Sequence, residues 1–188
     1  MNTARFTSIV WVCFIAYWWI SGIGVKRNAK GNIGRWGAAL RAGTLIIIFG
    51  LFQIPGVRSF LHRHNSVTHI PAVAVAGTVV CVLGLAFAIW ARLHLGRNWG
   101  MPMSLKEDHA LVTSGPYALV RHPIYTGLLT AIIGSMFAGG AFYMILFAVW
   151  CPFFLYSARI EERLMLQQFP NEYPAYRSRT KFLIPFVF

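Results

Sequence analysis

The sequence predicts an all-α, polytopic membrane protein with about five transmembrane helices, the last two forming a helical hairpin, and a C-terminal helical tail. Of its 188 residues, 57% are hydrophobic and only 12% are charged, whereas about a quarter of the residues in soluble domains are charged. Apolar runs of about 20 residues recur, the length that a helix needs to cross a hydrocarbon core of roughly 30 Å. The net charge of +12 comes from basic residues that flank these runs, which indicates topology signals rather than nucleic-acid binding.

The first half of the chain contains three predicted spans. They cover residues 6–25, about 40–57 and 70–91. The first run is longer than the apolar region of an ordinary signal peptide and no A-x-A site follows it, so it predicts a retained span. We expect one membrane domain over residues 1–188, with the three spans in 1–91 and the functional core in 92–188.

The second half predicts the helical hairpin. No Lys, Arg, Asp or Glu occurs from residue 122 to 158, and this interval is too long for one span. The glycine pair 139–140 interrupts it, and glycine pairs supply the backbone freedom of a tight turn. We therefore predict one helix over 123–138 and another over 141–158.

The basic residues predict the orientation of these five spans. With the N-terminus outside and the C-terminus in the cytoplasm, 14 of the 17 Lys and Arg residues lie inside, as the positive-inside rule requires. The expected location is a bacterial inner membrane or a membrane of the endoplasmic-reticulum type. All five acidic residues fall in the predicted cytoplasmic connector 92–122 or in the tail 159–188, so polar chemistry is expected on that side.

The stretch "RHP" at residues 121–123 marks the start of the hairpin. Proline is favoured at the first position of a helix, where its missing N–H is not needed. Arg121 and His122 then have two interpretations: they anchor the chain among lipid headgroups, or they form an anion site with the free N–H groups of the helix start. The residues alone leave both open.

The adjacent acids Glu161 and Glu162 follow the last apolar run. In one interpretation the helix continues to about Phe169, and Arg159 offsets Glu162 from three residues earlier. In the other, a carboxylate at the membrane threshold binds a cationic ligand group, since polar groups there are expensive and usually functional. An anion site and a carboxylate together would suit a zwitterionic ligand, for which tyrosines and Trp99 supply flat apolar surfaces.

No metal site is predicted. His62, His64 and His69 crowd one loop, but no cysteine or carboxylate accompanies them there. The three cysteines lie in separate apolar runs without a C-x-x-C pair. Hydrolase, metalloprotease, P-loop and Rossmann motifs are also absent from the sequence.

Two longer stretches carry a resemblance to a known family. "HALVTSGPYALVRHPIYTG" (109–127) and "EERLMLQQFPNEYPAYRSRTKFLIPF" (161–186) resemble the isoprenylcysteine carboxyl methyltransferase family of membrane enzymes, and are similar to the related phospholipid N-methyltransferases. The resemblance covers roughly residues 92–188 and implies that this part is a methyltransferase core. It implies an S-adenosylmethionine site without a Rossmann domain, bound by His109, Ala110, Leu111, Val112, Tyr117, His122, Pro123, Ile124, Tyr125 and Glu161.

The expected reaction is methyl transfer to a lipid or lipidated acceptor that enters from the bilayer. Arg121 and Glu162 are the candidate catalytic residues: Arg121 would orient the acceptor's carboxylate or headgroup or steady the cofactor, and a base such as Glu162 is needed only for an amine acceptor. Phospholipid N-methylation is the alternative. A transporter or a non-catalytic scaffold is more remote, because the span centres are uncharged.

Overall fold

The structure is a computed structural model that describes residues 3–21, 43, 50, 53–63, 70–96, 99 and 110–185. Its helices are α1 (Thr3–Ser21), α2 (Pro55–Arg63), α3 (Pro71–Leu95), α4 (Pro123–Gly139), α5 (Phe142–Gln168) and α6 (Tyr173–Arg179), with a 3₁₀ turn at Gly115–Ala118. Within these described residues the only β pairing is one isolated bridge between Val120 and Lys181. The all-α prediction is therefore confirmed.

Three of the described helices, α1, α3 and α5, are long and apolar enough to cross a membrane. Helix α4 is equally apolar but has only 17 residues. The predicted second span, residues 40–57, lies mainly outside the described residues, so the count of five stays a prediction. The described helices nevertheless have the lengths and composition of a polytopic membrane protein.

The predicted hairpin is confirmed. Helix α4 begins at Pro123 and α5 begins at Phe142, and Gly140 between them has a φ of 91°, a conformation that favours glycine. Helix α5 then continues to Gln168, so the acidic pair lies inside the helix rather than beyond it. This confirms the interpretation in which the helix runs to about Phe169.

Helices α3 and α4 pack closely because small residues face each other. A Cβ atom placed on Gly134 would lie 2.4 Å from the backbone N of Cys81, and one on Gly84 would lie 2.6 Å from the backbone N of Ala131. Such close backbone approach is how helices associate where lipid removes the hydrophobic driving force. The α3–α4 pair forms the wall against which α1 and α5 pack.

Helix α1 rests on this pair through aromatic and polar contacts. Phe14 packs in a cluster with Cys81 and Leu85, and the indole N–H of Trp11 donates a hydrogen bond of 2.9 Å to Ser135 Oγ. At the other end of α1, the buried Arg92 donates hydrogen bonds to the carbonyl oxygens of Ser21 and Gly96. These contacts fix which face of α1 packs against α3 and α4 and where α1 lies along their axes.

The C-terminal tail folds back over the start of α4. The backbone N–H of Arg121 donates to the Lys181 carbonyl at 2.9 Å, and Thr126 Oγ1 donates to the Leu183 carbonyl at 2.6 Å. The Tyr176 hydroxyl donates to the Tyr117 carbonyl at 2.8 Å. The tail is thus joined to the connector where the "RHP" stretch begins the hairpin. This junction forms one end of the site described next.

Candidate active site

A cavity of about 620 Å³ lies between α1, α4 and α5, below the junction of the connector and the tail. Its volume is within the range of roughly 300–1,000 Å³ typical of small-molecule sites. Of the residues predicted from the sequence, those that line it are Leu111, Val112, Tyr117, Arg121, His122, Pro123, Ile124, Tyr125 and Glu161. Ala110 is exposed and does not line it, Glu162 faces elsewhere, and His109 lies outside the described residues.

The connector reaches the cavity through a turn at "SGPY". His94, near the end of α3, shares a hydrogen bond of 2.8 Å with Ser114 Oγ through its Nε2. Gly115 then begins the 3₁₀ turn that places the Tyr117 ring against the cavity, where it is only 8% exposed. The turn signal read from the sequence therefore serves to position a site residue.

His122 stands at the entrance of α4, buried and stacked on the ring of Tyr125 with centroids 5.7 Å apart. Its Nδ1 lies 3.4 Å from Glu161 Oε2, and its Nε2 makes no hydrogen bond to any residue that the structure describes. Burial opposes protonation, but the carboxylates of Glu161 and Glu162 outweigh it and raise the pKa of His122 above its ordinary value. His122 thus responds to both acids.

Glu161 presents its carboxylate to the cavity. The Tyr125 hydroxyl donates a hydrogen bond of 2.5 Å to Glu161 Oε1, and the Tyr125 ring is itself stacked on Phe154 with centroids 4.8 Å apart. The Glu161 side chain keeps 23% of its surface exposed. An oriented, partly solvated carboxylate at the edge of an apolar cavity is suited to a cationic group.

Glu162 faces the tail instead. Arg121 Nε donates a hydrogen bond to its Oε1, and Arg177 Nε lies 3.6 Å from its Oε2. In the described part of the chain, the cations beside Glu162 are therefore these two arginines and His122, not Arg159 as the local spacing indicated. The local pairing fails because the tail brings in arginines that are distant in sequence.

Arg121 connects α5 to the tail and also lines the cavity. Besides its bond to Glu162, its Nη1 donates to the carbonyl oxygens of Thr180 and Arg177. Its Nη2 makes no hydrogen bond to a described residue, which leaves the two N–H donors of this nitrogen uncommitted there. The other donors of Arg121 bind the protein's own α5 and tail, and both sequence interpretations of Arg121 stay predictions.

The tyrosines around the polar end are neutral at physiological pH. Burial is the main reason that the pKa of Tyr176 rises to about 12 and that the pKa values of Tyr117 and Tyr173 rise further still. The nearby carboxylates add to the shift for all three. Such phenols can donate hydrogen bonds or contact a ring, but they are poor candidates for a general base at neutral pH.

Sequence reasoning missed the aromatic wall that α1 and α5 contribute. Trp11 and Trp18 line the cavity from α1, and Trp150 and Tyr143 line it from α5. Trp18 also contacts the buried Trp99 edge-on, with centroids 5.6 Å apart. The seven-residue spacing of Trp11 and Trp18 places both on one helix face, and this was the signal available in the sequence.

The fold and the site together define a helical membrane protein with a deep cavity that carries a carboxylate at one end. Residues 75–167 match the model of the isoprenylcysteine carboxyl methyltransferase (ICMT) family. The resemblance expected from the sequence is confirmed, because this part of the chain matches the model of that family. Together with the apolar helices, the match supports an integral membrane protein.

Individual curated proteins are also similar to this chain. The chain is 29% identical over 118 residues to the protein-S-isoprenylcysteine O-methyltransferase of Saccharomyces cerevisiae, covering 60% of this chain and 49% of the yeast protein. It is 35% identical over 97 residues to the cobalt-zinc-cadmium resistance protein CzcN of Cupriavidus metallidurans, covering 48% of this chain and 43% of that protein. The chain spans about half the length of the curated relatives it matches.

A solved structure supports the fold. It is that of the eukaryotic intramembrane Ras methyltransferase ICMT, with a TM-score of 0.56 and 24% sequence identity. The alignment covers 85% of this chain and 55% of that chain. At this identity the likeness shows a shared helical architecture, and the chemistry has to be argued from the site itself.

Proposed function

We propose that this protein is an S-adenosylmethionine-dependent membrane methyltransferase that methylates the carboxylate of a lipidated, isoprenylcysteine-type acceptor at the cytoplasmic face. The observation that carries the proposal is the cavity itself, which joins the oriented carboxylate of Glu161 to a long apolar interior. The names of the ICMT relatives support the acceptor class. The N-out, C-in orientation belongs to the same proposal.

The residues at the polar end fit the methyl donor. S-adenosylmethionine carries an ammonium, a sulfonium, a carboxylate and an adenine ring, and it supplies an electrophilic methyl group when bound. The carboxylate of Glu161 suits a cationic group, and the buried rings of Tyr117 and Trp99 suit a flat heterocycle. The buried His122 Nε2 lies 3.8 Å from Glu162 Oε1 and makes no hydrogen bond in the described part of the chain, so it can offer one to a ligand atom.

The chain's own residues would mainly orient the reactants and exclude water. An acceptor carboxylate is already ionised at neutral pH, so no general base is required, in agreement with the neutral tyrosines. The uncommitted Nη2 of Arg121 is suited to orient that carboxylate, because Arg121 lines the cavity and its other donors hold it rigidly. The apolar wall excludes water from the reacting groups.

The test is an acceptor assay with purified protein, methyl-labelled S-adenosylmethionine and N-acetyl-S-farnesylcysteine. We expect label in a base-labile ester, and Glu161→Gln should remove it. Glu172→Gln is the matched control, because Glu172 is an exposed carboxylate of the tail. Label in phosphatidylethanolamine headgroups would instead establish the phospholipid alternative, and saturable cofactor binding without any transfer would contradict the proposed acceptor.

A further inference from the structure

The cavity is longer than the polar end requires. Along α5 its lining extends from Met165 back to Phe142, and from Glu161 to Tyr143 the helix rises by about 27 Å. That is close to the hydrocarbon thickness of roughly 30 Å. Beyond Tyr125 the wall consists of aliphatic and aromatic side chains such as Leu128, Ile132, Leu146, Trp150 and Phe153. A ligand that fills this part has a long apolar chain.

The end of the cavity away from Glu161 is lined by residues of three helices. The lining residues farthest from Glu161 are Trp11 on α1, Ile132 on α4 and Phe142 on α5, with Tyr143 beside Phe142. They form the floor of the cavity. Its position, rather than the polar end, limits how far an apolar chain can extend.

This floor is held rigidly. The Trp11 indole N–H donates to Ser135 Oγ at 2.9 Å, and that fully buried hydroxyl lies 2.7 Å from the Ala131 carbonyl, to which it donates. The Tyr143 ring lies against the hairpin turn so closely that a Cβ on Gly139 would be 2.4 Å from it. If the indole swings aside, its N–H loses this part-buried hydrogen bond, so its observed position is favoured.

We propose that Trp11, held in place by Ser135, sets the length of the apolar chain that the acceptor carries. The inference rests on the proposed function and adds the selectivity of the enzyme among acceptors of different chain length. If the acceptor's apolar chain is longer than the distance from the polar end to the floor, the acceptor's carboxylate cannot reach the polar end. If the apolar chain is shorter, part of the apolar cavity stays unfilled. Both effects change the acceptor's kcat/KM without changing the methyl donor's site.

The test compares S-geranyl, S-farnesyl and S-geranylgeranyl N-acetylcysteine as acceptors. Trp11→Ala should raise the ratio of kcat/KM for the longest over the middle chain by about tenfold or more, mainly through KM. Ser135→Ala removes the hydrogen bond to the indole but leaves the Trp11 side chain in place. It should shift the ratio in the same direction by a smaller factor. Trp19→Ala is the matched control, because Trp19 is on the same helix, 79% exposed and not part of the lining.

The outcomes separate this inference from the proposed function. An unchanged ratio in Trp11→Ala protein that binds the cofactor like wild type overturns the inference and leaves the methyltransferase assignment intact. If Trp11→Ala does not fold, Trp11→Phe has to shift the ratio in the same direction, and its failure to do so equally overturns the inference. A wild-type protein that methylates none of the three acceptors contradicts the proposed function and the inference with it.

Discussion

Glu161 and Glu162 are neighbours on α5, yet they have different surroundings. Glu161 faces the cavity and is held by the Tyr125 hydroxyl and by His122. Glu162 faces the tail, is 7% exposed, and is paired with Arg121 and Arg177. A helix turns by about 100° per residue, so adjacent acids point to different sides. The pair therefore divides into a carboxylate that faces the cavity and one that is paired with the tail, and we predict that only the first takes part in the reaction.

The largest effects should come from exchanging each acid for its amide. Glu161→Gln is expected to lower methyl transfer by about a hundredfold or more, because the site loses its carboxylate, while thermal stability changes little. Glu162→Gln is expected to lower stability by about 3 kcal/mol, mainly because the largely buried side chain of Arg121 loses its counter-charge. The half-exposed Arg177 adds little to this loss. Activity per folded molecule and the unfolding midpoint should both be measured. If Glu161→Gln and Glu162→Gln lose activity and stability to the same extent, the two acids do not have the different roles predicted here.

Removing Arg121, the arginine that donates a hydrogen bond to Glu162, should have a slightly smaller effect. Arg121→Ala is expected to release the tail, since its guanidinium donates to Glu162 and to the carbonyls of Thr180 and Arg177. Limited proteolysis should then cut the tail faster than in wild type. Arg121→Lys should restore the charge but not the forked geometry, giving an intermediate rate. Exposed Arg163 is the control position, and Arg163→Ala should be cut like wild type.

A moderate loss of activity, without a loss of stability, is expected when the contact between Tyr125 and Glu161 is removed. Tyr125→Phe removes the hydroxyl that orients Glu161 but keeps the ring stacked on Phe154. We expect activity to fall by about tenfold, equivalent to one hydrogen bond to a charged group, with stability nearly unchanged. Tyr156→Phe, at an exposed position on the same helix, should do neither. Loss of stability without loss of activity in Tyr125→Phe would place Glu161 on the structural side.

The smallest effect tests the residue that contacts both acids. Because the folded pKa of His122 is raised, its contribution to stability is fully present below its unfolded pKa of about 6.5 and is lost as the pH rises through the higher folded pKa. The unfolding midpoint of wild type should therefore fall by about 2 °C over that interval relative to His122→Asn. A difference between the two proteins that is independent of pH would show that His122 stays neutral.

The sequence predicted the helices well because their signals are local. Pro71 and Pro123 begin α3 and α4 at the position where proline is favoured, and Gly140 makes the hairpin turn. Along the connector, the predicted site residues lie at one end of the cavity, because "SGPY" and "RHP" bring consecutive residues there; their roles stay predictions. The prediction was incomplete for α1, whose tryptophans are indistinguishable from ordinary interfacial aromatics until the helix is packed.

By itself, the sequence determined that the chain is helical, apolar enough for a membrane and related to the ICMT family, because composition, run length and contiguous motifs need no tertiary contacts. Only the tertiary structure decided which acid faces the cavity and which cation meets Glu162. Arg121 reaches the Thr180 carbonyl across 59 positions, and Trp11 reaches Ser135 across 124. Such pairings depend on how α3 and α4 approach through their small residues and on where the tail folds back, which no local pattern encodes.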